Sequence, residues 1–133
     1  MRRIIKGGVV TVEATEDTPK LILNPHTQTI LIEGSSFPED AVEFYSYVIQ
    51  WLVEQTEKFE GQFKCVFDYS ILSSASNKMV FEILLKLETL KKEGKDVFVE
   101  WHYSSFDEDM YDEGKAFKDT ISIPFEIIKK DEF

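Results

Sequence analysis

Apolar and polar residues alternate with a period of two at residues 9–13, and two further short stretches, 19–23 and 28–33, are rich in aliphatic residues. A period of two places successive side chains on opposite faces of a strand. These stretches therefore predict three short β-strands. The turn-forming run Asn24-Pro25-His26-Thr27 separates the second from the third, so we expect those two strands to pair as an antiparallel hairpin.

After Gly34 the apolar residues recur at the spacing typical of a helix. Ser36 and Glu39 have the Ser-x-x-Glu spacing of a capping box, and Pro38 suits the first turn of a helix. We therefore predict a helix over residues 38–59, with Ser36 as its cap. Its apolar face is formed by residues at helical spacing, namely Ala41, Tyr45, Val48, Ile49 and Leu52.

The rest of the chain alternates strands with helices. The pattern predicts a strand at 63–69, a helix at 76–93, a strand at 96–103, a short helix at 106–117 and a last strand at 120–128. Pro124 restricts the last strand to an edge or a bend. We expect residues 1–133 to form a single α/β domain, in which crossover helices pack against a mixed sheet of five or six strands.

The charge of the chain narrows the choice of partners. Its 133 residues carry 15 Lys and Arg against 25 Asp and Glu, a net charge of −10. A negative field repels nucleic acids and anionic lipid, so basic protein surfaces are better candidates. We find no signal peptide and no apolar run approaching about 20 residues, so we expect a cytoplasmic protein that does not cross a membrane.

Few residues offer catalytic or metal chemistry. Cys65 lies in an apolar run and is interpreted as a buried hydrophobic residue. Neither His26 nor His102 has a ligand partner nearby in the sequence, so we predict no metal site and no cofactor. A dense acidic run, residues 107–113, has three interpretations: a solvated helix start, a partner-binding patch, or a Mg²⁺ or Ca²⁺ site.

The most informative segment joins the strand at 63–69 to the helix that follows it. It holds Ser70, Ser73, Ser74 and Ser76 within seven residues. Functional sites collect at the carboxyl ends of strands in open α/β sheets. The segment has two interpretations. One is helix capping, for which a single serine is enough. The other is that one of the serines accepts a phosphate, since a helix N-terminus accommodates an anion.

Three blocks of sequence resemble the SiaC family of bacterial regulatory phosphoproteins. They are Ile32-Glu33-Gly34-Ser35-Ser36-Phe37-Pro38-Glu39 with Phe44-Tyr45 and Trp51-Leu52; Phe67-Asp68-Tyr69 with the serine segment and Lys78; and Val99-Glu100-Trp101-His102-Tyr103 with Asp107-Glu108-Asp109-Met110 and Glu113-Gly114. The blocks span most of the chain in this order.

The resemblance implies a fold similar to the STAS domains of anti-sigma factor antagonists, and a regulator rather than an enzyme. It implies a partner kinase, a metal-dependent Ser/Thr phosphatase and an effector, a diguanylate cyclase that the unphosphorylated form activates, which raises cyclic-di-GMP and favours biofilm. Two other interpretations are an adaptor that is never phosphorylated and a small metal-assisted enzyme that uses the acidic run.

The family's acceptor is a Thr in an Asn-Thr-Ser-Ser motif, which this sequence lacks. Counting back from Lys78 places the acceptor on Ser74, and counting forward from Tyr69 places it on Leu72, next to Ser73. We therefore predict Ser74 as the phosphoacceptor, with Ser73 as the alternative. The predicted partner-binding residues are Tyr103, Phe106, Asp107, Glu108 and Asp109, and Phe37 is a further candidate interface anchor.

Overall fold

The computed structural model describes residues 1–130, which form seven strands and three helices. The strands are β1 Arg3–Lys6, β2 Val9–Val12, β3 Lys20–Asn24, β4 Thr29–Ser36, β5 Gln62–Leu72, β6 Asp96–Tyr103 and β7 Phe125–Lys129. The helices are α1 Ala41–Gln55, α2 Ser74–Lys92 and α3 Glu108–Thr120. The predicted α/β class is confirmed.

All the described strands lie in one sheet, in the order in which they occur along the chain. Strands β1 to β4 pair antiparallel, whereas β4 to β7 pair parallel, because a helix crosses over between each pair of parallel strands. The sheet is mixed, as predicted, and β7 is an edge strand, as Pro124 indicated. The parallel strands β4, β5 and β6 therefore end at the same edge of the sheet.

One face of the sheet forms the core. Every second residue of the central strands is fully buried, as Ile30 and Ile32 in β4 and Cys65 and Phe67 in β5 show. Helix α1 packs against α2, and α3 packs against β6 and β7. The apolar face predicted for the first helix is buried here, since Tyr45, Val48 and Leu52 of α1 are inaccessible to solvent.

Strand β1 raises the number of strands above the predicted five or six. Its four residues, Arg3-Ile4-Ile5-Lys6, are all exposed and do not alternate. It pairs with β2 through a turn in which Gly7 and Gly8 have φ angles of 57° and 84°. A strand that buries no face leaves no periodic signal in the sequence, so the pattern did not indicate it.

The capping box predicted at Ser36 is wrong. Ser36 is the last residue of β4 and is fully buried, because β4 pairs with β5 as far as Ser36 opposite Leu72. Helix α1 begins at Ala41 and is capped by Asp40, whose Oδ1 accepts a hydrogen bond of 3.0 Å from the Glu43 backbone N–H. Ser36 therefore belongs to a paired strand, although the local sequence motif predicts a helix start there.

Candidate functional site

The candidate site lies where β4, β5 and β6 end. The backbone N–H of Ser73 donates to the carbonyl of Ser36 at 2.9 Å, and the hydroxyls of Ser35 and Ser70 lie 3.0 Å apart. These contacts join the ends of β4 and β5 side by side. The serine segment therefore lies at the carboxyl edge of the sheet, where sites collect in open α/β folds.

A register shift opens this end of the sheet. Gly34 pairs with Tyr69, but the next residue, Ser35, pairs with Ile71 instead of Ser70. The extra residue in β5 ends the regular alternation, so Ile71 is 50% exposed although its position in the pattern predicts burial. Bulges of this kind are common beside functional sites, because they re-aim side chains.

Ser73 is the N-cap of α2. Its φ and ψ are −68° and 162°, and its Oγ accepts a 3.1 Å hydrogen bond from the Ser76 backbone N–H. Its hydroxyl also donates to the Ser76 Oγ at 3.1 Å. The capping interpretation of the serine segment is confirmed for this residue, and α2 begins two residues earlier than the predicted Ser76.

The neighbouring serines have different environments. Ser74, the first residue of α2, is exposed, whereas Ser76 is completely buried. Ser74 thus combines an exposed side chain with a position at the N-terminus of a 19-residue helix. This end of a helix carries a partial positive charge and unpaired N–H groups, which suit an anion.

Buried hydroxyls lie directly beneath the serine segment, and the sequence analysis missed them. Ser36 Oγ lies 2.8 Å from Ser76 Oγ and 2.6 Å from Tyr45 Oη, and Tyr45 Oη lies 2.8 Å from Tyr69 Oη. Burial raises the pKa of both tyrosines, so both are neutral. A tyrosine on an otherwise apolar face needs a partner for its hydroxyl, and that signal was present in the sequence at both positions.

Several large apolar side chains are exposed around the edge that carries Ser74. Phe37 directly follows β4 and is 41% exposed, and Phe106 lies in the turn between β6 and α3 and is 81% exposed. Together with Ile71 they place one exposed apolar residue after or near the end of each central parallel strand. Exposed aromatic residues such as Phe37 and Phe106 are enriched in protein interfaces.

An acidic groove separates the end of β5 from α3. It has a volume of about 660 Å³, and its apolar lining includes Ile71 and Leu72 from β5 and Met110 from α3. Four acidic residues also line it, namely Asp107, Asp109, Asp112 and Glu113. None of these carboxylates has a lysine, arginine or histidine partner within the described chain.

Two of these carboxylates also contribute to the fold. Asp107 caps α3 by accepting a 3.1 Å hydrogen bond from the Met110 backbone N–H. Glu113 accepts a hydrogen bond from Asn77 Nδ2, which ties α3 to the first turns of α2. Partial burial and the nearby charge of Asp109 raise the pKa of the Glu113 carboxyl.

The structure brings the predicted partner-binding residues together at the start of α3. Tyr103, Asp107 and Glu108 line a second groove of about 460 Å³, and Asp109 lines the acidic groove beside it. Phe106 lies in the connecting turn. The acidic run begins a helix, as one of its three interpretations predicted, since α3 begins at Glu108 with Asp107 as its cap. The partner-binding patch stays a prediction.

Other candidate features do not combine into a site. Within residues 1–130, no three His, Cys, Asp or Glu side chains form a group that could hold a metal ion. Cys65 is buried, and burial raises the pKa of its thiol. No helix of the described part is long and apolar enough to cross a membrane.

The fold and the site together define a small α/β binding domain that presents a serine-capped helix beside exposed apolar residues. The sequence profile of the SiaC family of regulatory phosphoproteins matches residues 12–130. The chain therefore belongs to the SiaC family of regulatory phosphoproteins.

The chain is also similar to proteins from Pseudomonas aeruginosa. An uncharacterized protein of strain UCBPP-PA14 is 29% identical over 125 residues, which cover 91% of this chain and 96% of the relative. The crystal structure of the diguanylate cyclase SiaD in complex with its activator SiaC contains a chain with a TM-score of 0.86 and 24% identity, covering 90% of this chain and 98% of that one. Apo-SiaC gives a TM-score of 0.82 at 23% identity, covering 96% and 99%.

Proposed function

We propose that this protein is a phosphorylation-switched binding regulator whose unphosphorylated form binds and activates a diguanylate cyclase in the cytoplasm. Phosphorylation of Ser74 by a partner kinase releases the cyclase, and a Ser/Thr phosphatase restores binding. The observation that carries the proposal is the position of Ser74, which is exposed at the start of α2. Membership of a family of regulatory phosphoproteins and the solved complex of SiaC with SiaD support it.

Ser74 suits a phosphate better than its neighbours. A phosphate carries about −1.5 to −2 charges at pH 7 and has strong acceptor oxygens. At the first position of α2 it meets the positive end of the helix dipole and free backbone N–H groups. The Ser73 cap is left in place, so the modification requires no unfolding of the helix.

The proposed effector surface surrounds this serine. It consists of the apolar anchors Phe37, Ile71 and Phe106 and of the residues at the start of α3, Tyr103, Asp107, Glu108 and Asp109. A few residues that become buried near the centre of an interface supply most of its binding energy. A dianion added among them must be desolvated when the partner docks, and it repels any acidic group of the partner. The two forms would therefore differ in affinity more than in shape.

The test combines phosphosite mapping with partner capture. The tagged protein is recovered from its native cells, phosphopeptides are mapped by mass spectrometry, and bound proteins are identified. Ser74→Ala should retain the cyclase under all conditions, and Ser74→Asp should lose much of it. Ser46→Ala, at an exposed serine of α1, is the control for the loss of a hydroxyl and should behave as wild type.

Two results would refute different parts of the proposed function. Phosphate on neither Ser73 nor Ser74, together with unchanged cyclase capture, would make the protein an adaptor that is not phosphorylated. Phosphate on Ser74 without any effect of Ser74→Asp or of phosphorylation on capture would refute the switch.

A further inference from the structure

A continuous chain of hydroxyl groups runs from the start of α2 into the core. It connects Ser73 to Ser76 at 3.1 Å, Ser76 to Ser36 at 2.8 Å, Ser36 to Tyr45 at 2.6 Å and Tyr45 to Tyr69 at 2.8 Å. We call these five residues the hydroxyl chain. It links the start of α2 with the ends of β4 and β5 and with the first half of α1.

The hydroxyl chain accounts for the buried polar side chains of the fold. Ser36 and Ser76 have no exposed surface and are the buried polar residues among those that the structure describes. Within residues 1–130, no buried side-chain oxygen or nitrogen lacks a hydrogen-bond partner. A hydroxyl has one proton to donate, and that of Ser73 is directed to Ser76 while its oxygen accepts from the Ser76 N–H. Ser73 is thus engaged both as donor and as acceptor.

We propose that the hydroxyl chain determines which serine receives the phosphate, by committing the Ser73 hydroxyl to the fold and leaving that of Ser74 free. This inference rests on the proposed function, in which the segment is phosphorylated. Phosphorylation replaces the serine O–H bond by an O–P bond to the γ-phosphoryl group of a nucleoside triphosphate, and releases the nucleoside diphosphate and a proton. Attack by Ser73 requires its hydroxyl to leave Ser76, whereas attack by Ser74 breaks no bond of the chain.

The two products also differ. Phosphate on Ser73 removes the proton that Ser76 Oγ accepts and places a dianion next to buried hydroxyls, where desolvation is unfavourable. Phosphate on Ser74 leaves all four links and the cap in place. The hydroxyl chain therefore makes Ser74 the position at which charge can be added without loss of structure.

The experiment needs no kinase, so it can fail independently of the proposed function. Phosphoserine is installed during translation at residue 73, at residue 74 or, as a control for added charge, at the exposed residue 122. Amide hydrogen exchange of Ser76 and Asn77 and the hydroxyl exchange of Tyr45 are measured by NMR. We expect phosphoserine at 73 to accelerate exchange at least tenfold, whereas phosphoserine at 74 or 122 changes it less than twofold.

The Ser76→Ala variant tests whether the hydroxyl chain is the cause. Without the Ser76 hydroxyl, the difference between phosphoserine at 73 and at 74 should fall below threefold. Equal exchange rates for the two modified wild-type proteins, or faster exchange with phosphoserine at 74, would overturn the proposal. So would a difference that persists unchanged in Ser76→Ala. The comparison in the wild-type background decides the question alone if that variant does not fold.

Discussion

Gly114 of α3 lies directly against the ring of Trp101 in β6, so closely that a β-carbon at residue 114 would overlap several ring atoms. The Trp101 Nε1–H also donates to the Met110 carbonyl at 2.9 Å. The fully buried indole thus holds the first half of α3 against the sheet. These contacts set the position of Asp107 and Asp109, and with it the position of the acidic groove.

Gly114→Ala should destabilise the protein, although alanine is the better helix former by about 1 kcal/mol. Overpacking a core typically costs about 1–3 kcal/mol. The hydrogen bond from Trp101 Nε1–H to Met110 also restricts movement of the ring, so the steric cost should exceed the gain in helix propensity. Urea denaturation should show the loss. Lys115→Ala, at the exposed neighbouring position, is the control and should stay close to wild type. A Gly114→Ala protein more stable than wild type would show that α3 can move away from the sheet.

Ser36→Ala and Asp40→Ala should both lower the free energy of unfolding, but for different reasons, since Ser36 is a buried hydrogen-bonding residue and Asp40 is the cap of α1. Ser36→Ala removes a partner from Tyr45 and from Ser76 and leaves buried hydroxyls unsatisfied, at a cost of about 1–3 kcal/mol. Asp40→Ala removes the cap of α1 and should cost about 0.5–2 kcal/mol. The cost of Ser36→Ala should fall when Tyr45→Phe is added, while that of Asp40→Ala should not. Urea denaturation of the single and double variants measures how far each substitution depends on Tyr45→Phe. Additive costs for Ser36→Ala and Tyr45→Phe would contradict the hydrogen bond between these two residues.

Charge reversal at Asp109 and Asp112 should slow association with the effector and weaken its dependence on salt, if the partner presents basic groups to the acidic groove. Phe106→Ala should instead accelerate dissociation, since it removes an apolar anchor. The free energy of unfolding should change little for Asp112 reversal and for Phe106→Ala, because both side chains are exposed. Reversal of Asp109 also removes a negative charge beside Glu113, so its stability is measured separately. Surface plasmon resonance at several ionic strengths measures the rates. Reversal of Glu82, an exposed residue of α2, is the control, and equal effects at both places would leave the groove without a specific role.

Glu113→Gln should raise the stability of the protein at pH 7. Burial and the charge of Asp109 raise the pKa of Glu113 in the folded state, so the folded protein binds the proton more tightly than the unfolded chain. Stability is therefore lost as the pH rises from the ordinary value of about 4.3 through the raised pKa. A glutamine avoids this loss and keeps an acceptor for Asn77. The advantage in melting temperature should disappear near pH 4, and an advantage that is independent of pH would have another cause.

Local patterns predicted the order of the elements and the faces that they bury. The apolar spacing of Tyr45, Val48 and Leu52 reported the buried side of α1, and alternation in β5 reported its inward residues up to Tyr69. Such periodicities arise because one side of each element faces water, so they can be detected within a few consecutive residues. The serine-rich start of α2 could be recognised for the same reason, since a cap is a local interaction.

The tertiary structure alone decided what these residues do at the site. Whether Ser36 caps a helix or joins buried hydroxyls depends on how far β4 pairs with β5, and that pairing joins residues more than 30 positions apart. The register shift that exposes Ile71 and the contact between Asn77 and Glu113 are equally distant in sequence. The sequence by itself therefore determined the fold class and the segment that carries the candidate site. The register of the strands and the docking of α3 decided which serine is buried, which is exposed and what surrounds it, because those contacts form only when distant segments pack together.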